Sequence, residues 1–114
     1  MNEPRGLHWL AQIDWDETGH PGIYLHWLRR QQDSADVVAF IRMDPGCGYP
    51  RHQHQGVESV LVLQGGYRDE IGEHTCGDWV QYPAGSRHTP VALAGDDACI
   101  LFATAVGGVE LVDD

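Results

Sequence analysis

Nowhere in the 114 residues does an apolar run approach the roughly 20 residues needed to cross a bilayer. The opening stretch, Met1 to Asp16, also lacks the basic and apolar regions of a secretory signal, so the chain is expected to be cytoplasmic and to have no membrane partner. Basic residues are scarce: seven Lys+Arg stand against seventeen Asp+Glu, for a formal charge of −10 and a pI near 4.9. A surface of that sign repels phosphate backbones and anionic lipid, which removes nucleic acid from the expected partners. No Cys-x-x-Cys pair is present. Cys47, Cys76 and Cys99 are odd in number and widely spaced, which excludes a zinc ribbon or dithiol redox site and leaves free thiols, buried by default. Cys47 stands apart, because it lies in a glycine-rich loop just before a histidine cluster. Internal repeats and low-complexity segments are lacking too.

Hydrophobic residues at 42% and charged residues at 21% are enough to build a core, and the length suits one domain. Fourteen glycines and six prolines interrupt the chain too often for a helix bundle and predict an all-β fold of many short strands. Residues 1–21, with Leu10, Trp9 and Trp15 among acids and no clear period, read as an irregular arm that its tryptophans pack onto a single domain spanning 22–114.

Within that domain GIYLHWLRR and VVAFIRM have strand composition. The breaker cluster from Asp44 to Pro50 predicts a long functional loop. Turn signals then recur at Gln55-Gly56, Gly65-Gly66, Asp69 to Gly72, Cys76 to Asp78, Pro83 to Gly85 and Gly95 to Asp97, leaving room for strands of an antiparallel sandwich or barrel. In ESVLVLQ, Glu58, Val60, Val62 and Gln64 share one face, and Ser59, Leu61 and Leu63 the other. Both faces are apolar, so a second layer or another subunit should cover the outside, and with four tryptophans in so short a chain this predicts a homodimer through a sheet face or an exchanged N-terminal strand.

His52 and His54, two apart on a strand, put both imidazoles on one face about 7 Å apart at the backbone, within reach of one metal ion. Six residues of straight strand would carry Glu58 about 20 Å from His52, so a turn must intervene. Gly56, with positive φ in a tight hairpin, would return Glu58 beside His54. His88, after the turn Pro83 to Arg87, is the fourth candidate. Three imidazoles and a carboxylate suit divalent iron, manganese, nickel, copper or zinc. Protons should compete with the ion below the imidazole range near pH 6.5. Gln64, Tyr82 and Ser86 are candidate partners for the outer ring nitrogens. His8, His20, His26 and His74 read as surface or core residues, with His26 placed where it could line the barrel mouth. Phe40, Val60, Val62, Tyr82 and Phe102 are candidate pocket walls.

These residues resemble a known family. Gly46-x5-His52-x-His54-x3-Glu58-x6-Gly65 reproduces the first cupin motif, and Gly77-x5-Pro83-x-Gly85-x2-His88 the second, with Ala92 where an asparagine commonly ends it. Within cupins, the stretch from His52 to Pro90 is similar to the ChrR-type group, named for the metal-binding domain of an anti-sigma factor. The resemblance implies a double-stranded β-helix, or jelly-roll barrel, with a divalent metal (zinc, iron, manganese or nickel) held by His52, His54, Glu58 and His88. It further implies a sensor or regulatory module, or alternatively a mononuclear metal dioxygenase acting on a diketone or aryl ketone, with a small molecule as ligand or substrate. Anti-sigma members carry an N-terminal helical zinc domain, for which this sequence shows no Cys-x-x-Cys, so sigma-factor binding is not expected.

Overall fold

The computed structural model describes residues 8–31 and 33–112. Twelve strands follow a short 3-10 helix at His8–Gln12: β1 Asp16–Glu17, β2 Ile23–Arg29, β3 Val37–Met43, β4 His52–His54, β5 Glu58–Gln64, β6 Gly66–Asp69, β7 Gly72–Thr75, β8 Trp79–Tyr82, β9 Arg87–His88, β10 Val91–Ala92, β11 Cys99–Ala105 and β12 Val109–Leu111. All pairings are antiparallel. The strands form a six-stranded sheet, β1-β2-β3-β11-β5-β8, and two three-stranded sheets, β10-β6-β7 and β12-β4-β9. The all-β expectation therefore holds.

The chain changes sheet at glycines. Gly65, φ +65°, is the only residue between β5 and β6, so the expected turn at Gly65-Gly66 is a corner from the large sheet to a small one. A Cβ there would lie 2.8 Å from the Ala98 carbonyl oxygen, which leaves no space for a side chain. Gly56 corrects the expectation of a positive-φ hairpin. Its φ is not positive, and β4 and β5 do not pair: β4 lies between β12 and β9, β5 between β11 and β8. Glycine is required instead by close approach, since a Cβ would sit 2.5 Å from the Val106 carbonyl oxygen.

Alternation sorts the large sheet into two faces. Inside, Val60, Val62, Leu101, Ala103 and Met43 join Ile23, Tyr67 and Tyr82 in one buried cluster. Outside, the register aligns Trp79, Leu61, Phe102, Phe40 and His26 across five strands. Phe40 and Phe102 are thus not pocket walls, and His26 does not line the barrel mouth. Both faces of VVAFIRM are largely apolar, and its neighbours β2 and β11 decide which points inward. Trp9 packs on Phe40 with ring centroids 5.2 Å apart, and Leu10 is buried, so the segment before β1 covers part of the outer row. Residues 1–7 and the side chain of His8 lie outside the described residues. Trp79, at the other end of the row, is 57% exposed.

Of the thiols expected to be buried by default, one is, and Cys76 departs from that expectation. Cys99 is buried, which pushes its pKa up to about 12, Cys47 is half-buried beside Gly22, and Cys76 is exposed, its thiol donating to the Leu63 carbonyl at 3.3 Å. None joins the histidine cluster.

Candidate metal centre

Register places the four predicted residues together. In the small sheet β4 pairs with β9, and His52 stands directly opposite His88. His54, two residues on, shares that face. Glu58 opens β5 in the opposite sheet and approaches from across the barrel. The turn Pro83 to Ser86 clamps this arrangement: the Gly85 amide donates to the His54 carbonyl at 2.8 Å, and the His54 amide to the Ser86 carbonyl at 2.9 Å. All four side chains are buried, and one donor atom from each lies within 4.8 Å of the others.

Hydrogen bonds fix how the rings face. His52 Nδ1–H donates to the Pro50 carbonyl at 3.0 Å. Ser86 Oγ gives its proton to the Pro83 carbonyl at 2.6 Å and so accepts from His54 Nδ1–H at 2.9 Å. His88 Nδ1–H donates to Asp69 Oδ2 at 2.8 Å. Each imidazole spends Nδ1 on an acceptor outside the cluster and turns the lone pair of Nε2 inward. The consequence is a concentration of acceptors without donors: His52 Nε2 lies 3.0 Å from His88 Nε2, and His54 Nε2 lies 2.9 Å from Glu58 Oε1. Among the described residues His54 Nε2 is the buried side-chain nitrogen or oxygen atom left without a hydrogen-bond partner. Burial lowers the pKa of His52 to about 4 and lowers that of His88 as well, so both are neutral at pH 7. Three imidazoles and a carboxylate aimed at one point fit a divalent cation, which His52, His54, Glu58 and His88 could hold.

The supporting residues match the expected ones in part. Ser86 does orient His54. The Tyr82 ring packs at a tilt, its centroid 4.3 Å from that of His88 and 5.1 Å from that of His54. Gln64 is remote from the cluster: its amide donates to the Ala98 carbonyl. The residue that sequence reasoning missed is Asp69, read only as part of a turn. Its fully buried carboxylate takes His88 Nδ1–H and the Tyr82 hydroxyl, at 2.6 Å, on Oδ2, and His74 Nε2–H, at 3.0 Å, with the Ile71 amide, at 3.2 Å, on Oδ1. Tyr67 donates in turn to the Tyr82 oxygen at 2.5 Å. Burial raises the Asp69 pKa, but the bonds from Tyr82, His88, His74 and Ile71 outweigh it and hold the carboxyl below its ordinary range. His74, matched by no motif, therefore belongs to the network. His20 sits edge-on to Tyr49 at 5.3 Å, and His26 Nδ1–H donates to the Asp14 carbonyl at 2.9 Å, both outside it.

A cavity of about 320 Å³ opens beside the cluster and is lined by His52, Glu58 and His88 together with apolar side chains, Val60 among them. Of the expected walls, Val62 and Tyr82 pack in the core behind it. Among the described residues no helix is long and apolar enough to cross a membrane.

The anti-sigma-E factor ChrR of Cereibacter sphaeroides is 44% identical over 68 residues, which is 60% of this chain and 32% of that protein. The crystal structure of Rhodobacter sphaeroides SigE in complex with the anti-sigma ChrR aligns at TM-score 0.73 and 30% identity, over 90% of this chain and 58% of that one. The chain therefore spans about a third of the curated relative and somewhat over half of the solved one. An acetylacetone dioxygenase from Acinetobacter johnsonii aligns at TM-score 0.72 and 16% identity, over 82% of this chain and 65% of that one, a likeness of fold alone. The sequence matches the ChrR cupin-like domain family over residues 5–106, and the barrel with its buried three-histidine, one-glutamate cluster agrees with that match, so the chain belongs to that family.

Proposed function

We propose that this chain is a small metal-binding cupin of the ChrR-like type, in which His52, His54, Glu58 and His88 hold one divalent ion, zinc, iron, manganese or nickel, and which serves in the cytoplasm as a sensor or regulatory module responding to a small molecule. The observation that carries the reading is His54 Nε2, a buried lone pair set against a carboxylate oxygen. Such a contact is costly unless a cation lies between the two groups. Metal analysis of protein purified without added metal should find one equivalent in the wild type and less than a tenth of one in His52→Ala/His54→Ala. Wild-type loading of the double variant overturns the assignment.

The second reading, a dioxygenase acting on a diketone or aryl ketone, is supported by the cavity that reaches three of the four donors. A bound ion supplies Lewis acidity there, while the chain's own apolar walls exclude water and orient the occupant. Oxygen uptake by the iron(II) form with β-diketones or hydroxylated aryl ketones favours this reading, and its absence favours the module.

The homodimer is proposed through the outer row of the large sheet. Trp79, at its open end, is more than half exposed, and Leu61 beside it is half-buried. Sedimentation at micromolar concentration should give twice 12.6 kDa, with Trp79→Glu shifting the protein to monomer. A pure monomer in the wild type counts against the dimer.

A further inference from the structure

The cavity beside the cluster is uneven in its chemistry. Leu25, Trp27, Val37, Ile41, Leu101 and Val109 are among its walls, and its volume is near the lower end of small-molecule sites. Polar groups gather at one end, where His52, Glu58 and His88 stand. Tyr67 also lines it, but its hydroxyl is tied to Tyr82. Beyond these, the described lining residues that carry polar side-chain atoms are Tyr49, with its hydroxyl, and Trp27, with its indole N–H. The Tyr49 ring sits edge-on to His52 at 5.1 Å, at the cluster end of the cavity. A tyrosine hydroxyl at that place can donate a proton to an occupant.

No arginine is among the described residues lining the cavity, and the sequence contains no lysine. A phosphate or a second carboxylate would therefore find no counter-charge among these side chains. A sugar would strip several hydroxyls of water and find almost nothing to bond, a cost of roughly 1–3 kcal/mol for each unpaired group. An apolar body meets no such penalty. Resting on the metal reading above, we infer that the cavity takes a compact molecule with an apolar body and one terminal oxygen donor, neutral or singly negative, whose donor end meets the ion and the Tyr49 hydroxyl and whose body lies along the apolar walls. Sugars, phosphate esters and dicarboxylates are rejected.

A series of probes tests this on cobalt(II)-loaded protein, followed by the visible spectrum of the ion. From acetate to hexanoate the affinity should rise about fourfold per methylene, somewhat over two orders of magnitude in all. Adipate, of the same length as hexanoate with a second charge at the far end, should bind no better than acetate. Ala35 is exposed and lines the cavity mouth, so Ala35→Trp should flatten the series without disturbing the core. In metal-free protein, 1-hexanol should shift the methyl resonances of Ile41, Val60 and Leu101 while sorbitol leaves them in place. Cobalt uptake with a flat series, or with adipate equal to hexanoate, overturns the inference and leaves the metal reading standing. Failure to take up cobalt, with hexanol still selected over sorbitol, overturns the metal reading and upholds the apolar cavity.

Discussion

Stripping the ion from loaded protein at pH 8 is expected to lower its melting temperature by about 15 °C. With metal a thousandfold above its dissociation constant, binding to the folded state alone is worth about 4 kcal/mol, and a domain of this length loses about 4 °C per kcal/mol. The chelated protein should stay folded, because the core of Ile23, Met43, Val60, Val62, Tyr67 and Leu101 does not depend on the ion. The pH dependence follows from burial. In the folded, metal-free protein His52 has a pKa of about 4, and His88 is lowered as well. Unfolding lets both protonate near 6.5. Their contribution is thus complete above pH 6.5 and declines as pH falls toward 4, a loss on the order of 3 kcal/mol for His52 alone. Loaded and chelated protein share this decline, and both should melt lower at pH 5.5 than at pH 8. Proton competition for His52 in the folded state begins nearer pH 4 than the 6.5 of a free imidazole, so the gap between loaded and chelated midpoints should largely survive at pH 5.5. Calorimetry with and without chelator at the two pH values checks both claims. Equal midpoints at pH 8, in protein first shown to be loaded, would mean that the ion contributes little.

Asp69→Ala should be the most damaging single substitution at the site, costing about 3–5 kcal/mol in urea unfolding, as removal of one partner from a buried charged network does. The methyl group would leave His88 Nδ1–H, His74 Nε2–H and the Tyr82 hydroxyl without their acceptor. Metal affinity should fall about 10–100-fold, because nothing then holds the His88 ring with its Nε2 inward. Asp69→Asn should be milder. Its amide oxygen can still serve His88 and Tyr82, and the NH₂ group can face His74, whose ring can adopt the tautomer that accepts, which leaves the Ile71 amide alone without its acceptor. The depressed Asp69 pKa adds a sign: its contribution is present above the unfolded carboxyl range near 4 and lost as pH falls below it. A loss under 1 kcal/mol for Asp69→Ala, with unchanged metal affinity, would show that the network is not needed.

The sequence exposes the four cluster residues and hides their support for one reason. Ligands to a common point must recur at spacings set by strand period and turn, and His52-x-His54 with Glu58 and His88 shows those spacings directly. Asp69 reaches His88 only because β6 and β10 pair, bringing the end of one small sheet against the start of another. No local pattern reports that contact. Gly56 was identifiable as a required glycine, but its requirement comes from the Val106 carbonyl, fifty residues away, rather than from its own φ. Phe40 shows the limit of alternation: in a strand apolar on both faces, neighbours decide which face is inside, and those neighbours lie on β2 and β11.

The pairing of β11 sets the order in which this molecule can be made. That strand lies between β3 and β5 in the large sheet, with Ala105 opposite both Val37 and Glu58. During synthesis β2 and β3 can zip together early, and the β6–β7 hairpin can form alone, but β3 and β5 have no mutual pairing to wait in. Their facing edges stay open until Cys99–Ala105 has left the ribosome, some forty residues after β5, at about 5–20 residues per second. For those few seconds the nascent chain presents two apolar strand edges to its surroundings. A late, long-range closure also predicts slow refolding, in the millisecond-to-second range of non-local β topologies.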